Sequence, residues 1–442
     1  MNHRLNRLIR VAFFSVLLAL GRGSGALAAP INLQFWHSMS GEKGTLLQEI
    51  VAAFNTQPEN AGKVHVELQF IGTYEEGLNK LRTALLAGRG PHIVQITDIG
   101  TQVMVDTGAV VPLQDYSAAD PQFPNRELLP QLRHYYEYDG KLYALPFATS
   151  NPIIYYNADA FKKAGIPRPP ATFAELSRDA AKLTDAAAKT TGITWPLHSW
   201  FLEEFMARQG EPFANHDNGR RGRATEINLT SPQALAFVRL WAQMVKDGTF
   251  ANVGRGWDPA EQNFLAGRSA MLITSTSDVF EVIRKAPFPV ATAALPTPDP
   301  KVKGGTIVGG NALWILKRKD SAEQEASYRF VRYMASAPVQ RNWHTHTGYF
   351  PIREDVIDAL TREGFYKQYP AAKTAIDQLR ASPDLPATRG ALLGVFPEAR
   401  ENVDSAVERI LTGGADPVSA LGQAKAQSEA AISRYNRGRS GS

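Results

Sequence analysis

Two short stretches in the last hundred residues carry side chains suited to holding an anionic small molecule. Thr347-Gly348-Tyr349-Phe350-Pro351-Ile352 sets a Tyr hydroxyl beside a glycine turn, and Phe396-Pro397-Glu398-Ala399-Arg400 supplies a guanidinium. A guanidinium never loses its charge, and its planar fork of donors matches a phosphate or carboxylate. The plainer reading of Arg400 is a salt bridge on a helix surface. Ser150, Ser275 and Ser277 lie at junctions between segments, where a hydroxyl donates to phosphate or sugar oxygens or is simply solvated. Trp36, Tyr74, Trp200, Trp257, Trp314 and Tyr349 fall near element ends, where flat side chains cover a polar ligand and offer a donor. Trp314, inside an expected strand, reads as core.

Catalytic equipment is thin. The chain has no Gly-x-Ser-x-Gly elbow, no His-Glu-x-x-His, no P-loop and no cysteine, so thiol nucleophiles and zinc-thiolate sites are excluded. His344 and His346 stand two apart beside Trp343, and without further ligands nearby they read as surface or helix-end histidines rather than a metal site. The Gly309-Gly310 pair lacks the rest of a dinucleotide fingerprint. It marks a place where backbone closely approaches a ligand or a neighbouring strand. Neither a metal nor a cofactor is expected, and no reaction.

The elements that must position these groups form an α/β pattern. Residues 31–36 alternate as a strand, 41–54 place Leu46, Leu47, Ile50, Val51 and Phe54 on one helical face, and 64–70 alternate again. A second helix over 74–86 leads to a buried-type strand over 92–97. This βαβαβ order predicts a parallel sheet whose ligand groups sit at strand carboxyl ends: Trp36-His37-Ser38, Gly72-Thr73-Tyr74 and Thr97-Asp98-Ile99-Gly100. The polar segment 148–152 separates two strand-like runs and is expected to be a hinge. Helices follow over 172–183, with a Thr-x-x-Glu cap, and over 231–246, opened by Ser-Pro; the chain then returns through Gly304–Asn311 to a strand over 312–316 and a helix over 322–335. The expected arrangement is two α/β lobes, one from 29–147 plus roughly 311–365 and one from 148–310 plus roughly 366–442, with a ligand cleft between them.

The first 28 residues read as a secretory signal peptide: Arg4, Arg7 and Arg10, an apolar run over 11–20, and Ala26-Leu27-Ala28 as the cleavage site. The run is too short to span a membrane. This segment carries four Arg and no acid, so the remainder has 44 basic against 43 acidic residues and a net charge of +1. That balance, with no Lys/Arg-dense run, gives no electrostatic basis for binding nucleic acid. A mature chain of about 410 residues without disulfides is held by burial alone and is long enough for two cores. The expected compartment is a periplasm, and the expected state a monomer.

Phe35-Trp36-His37-Ser38-Met39, Gly72-Thr73-Tyr74-Glu75, residues 95–101, Pro146-Phe147 with 150–157, Gly309-Gly310, Leu313-Trp314 and residues 346–352 together resemble the periplasmic glycerol-3-phosphate-binding proteins of Ugp-type ABC transporters, relatives of the maltose-binding type. The resemblance implies a two-lobed periplasmic binding protein fold and an ABC permease as membrane partner. It also implies that Tyr74, Ser150, Gly310, Tyr349 and Arg400 contact phosphate or glycerol, with Ser275 and Ser277 equally placed for one further contact. Two positions depart from the family pattern. Asp98 stands where a Glu is expected, one methylene shorter, and the aromatic over the ligand falls on either Ser199 or Trp200. A roomier pocket with aromatic walls suits a quaternary ammonium, as in glycerophosphocholine. The expected function is an exported solute receptor for glycerol-3-phosphate or glycerophosphodiesters. An oligosaccharide receptor is the alternative within that class, and an exported phosphodiesterase or phosphatase the alternative outside it.

Overall fold

The computed structural model describes residues 29–439; the expected signal peptide and its cleavage site lie outside the described residues. Two β-sheets organise the chain. In the first, strand Ile31–His37 pairs in parallel with both Val64–Phe70 and Ile93–Thr97, as the βαβαβ pattern predicts. Strand Gly309–Leu316 then joins antiparallel to Ile93–Thr97 and also pairs with Leu145–Ser150 and Val110–Val111. The second sheet has the order Phe250–Ala251, Thr191–Thr194, Ser269–Ser275, Pro152–Asn157, Val290–Ala293.

Helices cover both sheets because their apolar spacing leaves one face to bury. Helix Gly41–Thr56 buries Leu46, Leu47, Ile50, Val51 and Phe54, the face read from the sequence. One core gathers Phe35, Val94, Trp314, Phe330 and Trp343; the other gathers Trp195, Phe205, Phe237, Trp241 and Val403. Ring packing is dense in the second, with Phe205 and Phe237 stacked at 4.1 Å. The C-terminal helices Phe396–Gly413 and Pro417–Arg439 pack on each other and on the helices of the second sheet.

Three local expectations change. The segment expected as a linker from Ala148 is strand up to Ser150, so the chain leaves the first sheet at Asn151 and enters the second at Pro152. The strand expected from Ala312 begins at Gly309, because Gly310 at φ +104° brings the backbone against strand 145–150, where a Cβ would lie 2.1 Å from the Ala148 carbonyl oxygen. Of the two readings of His344, helix end holds and surface does not: it lies in the last turn of helix Ala337–Thr347 but is buried, its Nδ1 2.7 Å from the Tyr349 carbonyl oxygen and its Nε2 3.1 Å from the Tyr366 hydroxyl. Burial lowers its pKa to about 4, and a neutral ring bridging two polar groups is how a His is tolerated in a core.

Behind the cleft, Asp106 ties the two halves together. Its carboxylate accepts bonds of 2.9 and 2.7 Å from Arg223, 2.8 Å from the Tyr435 hydroxyl and 2.9 Å from Gln102. Burial works to raise its pKa, but these donors outweigh it and the net shift is downward. A depressed carboxylate contributes stability above its unfolded pKa and loses it as pH falls through the folded value. Asp106→Ala should therefore cost about 1–3 kcal/mol at neutral pH, discounted because Arg223 is partly exposed. Urea unfolding should show that difference shrinking as the pH is lowered below about 4, the ordinary Asp range.

Candidate ligand-binding site

The ends of the first-sheet strands face the ends of the second-sheet strands across a cleft of about 1000 Å³. Tyr74, Asp98, Ser150, Trp200, Ser275, Ser277, Gly310, Tyr349 and Arg400 all line it. Residues from eight segments, far apart in the chain, thus share one cavity. Ser199, which competed with Trp200, is buried outside it, its backbone N–H bonded to the Asp404 carboxylate.

Each group is aimed by its local structure. Thr73 caps helix Tyr74–Leu86 in a full capping box with Glu76, and Gly72 takes φ +95°, so Tyr74 starts the helix at the cleft wall. Helix Ala337–Thr347 is stopped by Gly348 at φ +83°, where a Cβ would lie 2.4 Å from the Thr276 carbonyl oxygen. That stop turns Tyr349 back into the cleft, stacked on Trp343 at 5.8 Å with the rings 7° apart. Burial pushes Tyr349 up to about 12 and Tyr74 well above its ordinary value. Both are neutral donors at any physiological pH.

Beside them runs a chain of hydroxyls. Ser275 Oγ lies 2.9 Å from Ser150 Oγ and 3.0 Å from Ser277 Oγ, which donates to Asp278 at 3.0 Å. Ser275 and Ser277 therefore both belong to the wall. Lys43, from the first turn of helix Gly41–Thr56, bonds Asp278 at 2.9 Å and sits 5.4 Å from the centre of the Tyr349 ring.

A second set of charges gathers around Arg400. Arg400 Nε and Nη2 donate to the two Glu203 oxygens at 2.7 and 3.0 Å, and Arg400 Nη2 lies 3.7 Å from Asp98 Oδ2. Asp98 and Glu203 are buried and the Arg400 side chain is only 12% exposed, so Arg400 is neither a surface salt bridge nor a free fork waiting for phosphate: one guanidinium serves two carboxylates. Thr97 donates to Asp98 at 2.7 Å and fixes its direction at the start of the turn Asp98–Gly100. Burial raises Asp98, partly countered by Arg400. Burial, reinforced by Asp98 and Asp404, raises Glu203 to about 7 despite Arg400. Burial likewise lifts Asp404 to about 6 and lowers His198 to about 3.

The aromatic wall is Trp200, 5.8 Å from Trp257, with Trp257 5.4 Å from the His198 ring. Trp200 lies flat against Gly309, where a Cβ would fall 2.8 Å from its Cζ2. The glycine pair thus has two separate reasons, the indole for Gly309 and the neighbouring strand for Gly310. Trp36 and Trp314 do not line the cavity; Trp314 is core, as read.

Glu203, Lys43 and Asp278 were missed by sequence reasoning. Glu203 did carry a signal: Glu203-Glu204 interrupts an otherwise apolar run, Trp200 to Ala207, and two acids on a helix buried along its whole length need partners. Lys43 and Asp278 carried none, since a charge in a first helical turn or a loop is ordinary.

A family described as bacterial extracellular solute-binding protein matches residues 49–374. The sn-glycerol-3-phosphate-binding periplasmic protein UgpB of Escherichia coli K12 is 32% identical over 430 residues, 95% of this chain and 97% of that one. UgpB of Pectobacterium atrosepticum is 33% identical over 441 residues, 98% of each. Among solved structures, UgpB from Mycobacterium tuberculosis in complex with glycerophosphocholine superposes with a TM-score of 0.77 at 23% identity, over 92% of this chain and 99% of that one. A Listeria monocytogenes ABC substrate-binding protein in complex with cycloalternan gives 0.75 at 22% identity over 92% and 99%. The two lobes, the cleft between their strand ends and these matches have one reading: the chain belongs to the bacterial extracellular solute-binding protein family, with the UgpB periplasmic proteins among its relatives.

Proposed function

We propose that this protein is the periplasmic receptor of an ABC importer and that its cleft captures sn-glycerol-3-phosphate or a glycerophosphodiester without chemical change. The observation that carries the reading is the pairing, in one cavity, of hydroxyl donors from Tyr74, Tyr349, Ser150, Ser275 and Ser277 with the buried guanidinium of Arg400. Hydroxyls serve glycerol and phosphate oxygens alike, and a buried guanidinium offers charge-assisted bonds. Export by a signal peptide cleaved near Ala28, delivery to a membrane permease and action as a monomer complete the proposal. Relatives that are periplasmic binding proteins support it.

An oligosaccharide receptor is the second reading, favoured by the two tryptophans and by a cleft larger than glycerol-3-phosphate needs. Isothermal calorimetry against glycerol-3-phosphate, glycerophosphocholine and maltose separates the two. Binding of maltose alone would overturn the phosphate reading.

Three results are expected. First, Arg400→Ala should weaken binding of the phosphate ligand by about 2–5 kcal/mol, the usual cost of truncating one member of a buried charge pair. An unchanged titration curve would remove Arg400 from the site. Second, with hinges at Asn151 and just before Gly309, ligand should compact the protein, because only the closed form lets both lobes touch it. Small-angle scattering reads this as a fall in radius of gyration, and superimposable profiles with and without saturating ligand would refute closure. Third, Asp98 and Glu203 outnumber Arg400, and aromatic rings stand nearby, so a ligand bringing its own cation fits the charge balance. A trimethylammonium on such a wall gains about 0.5–2 kcal/mol. Glycerophosphocholine should bind at least as well as glycerol-3-phosphate, and Asp98→Glu should shift preference back toward the monoester by filling the space the shorter side chain leaves. Tight glycerol-3-phosphate binding with no heat from glycerophosphocholine would sink the diester preference.

A further inference from the structure

Glu203 occupies the two guanidinium donors of Arg400, Nε and Nη2, that together form a side-on fork. Asp98 approaches the same Nη2 from the other lobe. A phosphate brought to Arg400 makes three anionic groups around one cation in a pocket screened from water. Such an arrangement is costly unless one negative charge is removed, and the cheapest removal is a proton. Resting on the phosphate reading above, we infer that ligand capture is proton-coupled: when a phosphate engages Arg400, the Glu203 carboxylate takes up a proton from solvent and remains in place as a neutral, hydrogen-bonded acid.

The surroundings of Glu203 identify it as the acceptor. From helix Phe396–Gly413 it faces Arg400 and Asp404, from the turn Asp98–Gly100 it faces Asp98, and Tyr135 of helix Pro130–Tyr135 adds a neutral phenol. On its own helix, Glu204 adds a further acid that bonds Thr306 and the Ile307 N–H instead of Arg400. His198 is held neutral and cannot supply a compensating charge. With its pKa already lifted to about 7 by burial and its acidic neighbours, Glu203 needs only a modest further push to be protonated at pH 8. The sign follows. An added phosphate raises that pKa again, so the ligand complex binds more protons than the free protein above the free pKa, and affinity rises as pH falls toward about 7 and then levels off.

The test is calorimetry of the full mature protein at about pH 8, where a phosphate monoester, with its second pKa near about 6, and a phosphodiester both carry fixed charge. Glycerophosphocholine and glycerol-3-phosphate are titrated in phosphate-free buffers of differing ionisation enthalpy. For glycerol-3-phosphate the observed heat should vary linearly with that enthalpy, with a slope corresponding to uptake of roughly half to one proton per ligand, and for glycerophosphocholine, whose own cation offsets part of the charge, the slope should be shallower. Glu203→Gln, which keeps an oxygen facing Arg400, should abolish the slope while binding persists. Heat independent of buffer in the wild type overturns the inference without needing any variant. A slope unchanged in a folded Glu203→Gln protein overturns the assignment to Glu203. Absence of heat from both phosphate ligands would instead strike at the phosphate reading, so the two failures are distinguishable.

Discussion

Everything about the cleft depends on how a buried positive charge is kept there. Arg400 comes from a C-terminal helix, Glu203 from a helix 197 residues earlier, and Asp98 from the first-sheet side. A lone guanidinium in that setting would be expensive, and Glu203 supplies the bidentate geometry that makes burial tolerable. Asp98 then gives the second lobe's cation a partner across the cleft at 3.7 Å, long enough to be attraction rather than a fixed bond. The anchor is thus built within one lobe and only shared with the other. A ligand contacting both can compete for it without dismantling either core.

How far the sequence revealed this site depends on the kind of constraint at each residue. Tyr74 and Tyr349 were legible because a local backbone feature aims each one: a capping box after Gly72, and a helix stop at Gly348. The parallel unit of the first sheet and the face of helix Gly41–Thr56 were legible because periodicity is local as well. Glu203 was not, since its meaning lies in a partner that only the folded second lobe brings near. The same holds for Lys43 and Asp278, separated by 235 residues. The strand boundaries at Ser150 and Gly309 were misplaced for a related reason: the two segments pair with each other, and each alone looks like a polar or glycine-rich linker.

The cleft's two ends differ in what they ask of a ligand. At the tyrosine end neutral hydroxyls are already bonded in a chain, Ser150 to Ser275 to Ser277, that ends on the Asp278–Lys43 ion pair, so a ligand oxygen enters an existing network. Hydroxyls rotate, and each serves as donor or acceptor as needed. At the arginine end the donors are fixed and engaged, and the carboxylates exceed the cation. The aromatic wall of Trp200 and Trp257 lines the same cleft, and its indole is held against Gly309, the strand partner of Ser150, with no room for a side chain between them.

Ion pairs across the cleft, as distinct from the Asp106–Arg223 pair behind it, also rank themselves by exposure. Arg284 and Glu42 meet at 2.9 Å with more than half of each side chain in solvent, which gives such a pair little net worth. Lys43 and Asp278 are better shielded, at 25% and 19% exposure, and Lys43 is raised on balance because Asp278 outweighs the opposing effect of burial. Arg400 with Asp98 is buried but longer than a direct hydrogen bond. None of the three alone commits the lobes to each other: the exposed pair is weak, the shielded one is a single bond, and the buried one is incomplete. A ligand whose oxygens complete the arginine end and join the hydroxyl chain adds bonds at both ends at once, which is why the free energy for closing the cleft comes from the ligand rather than from the rim.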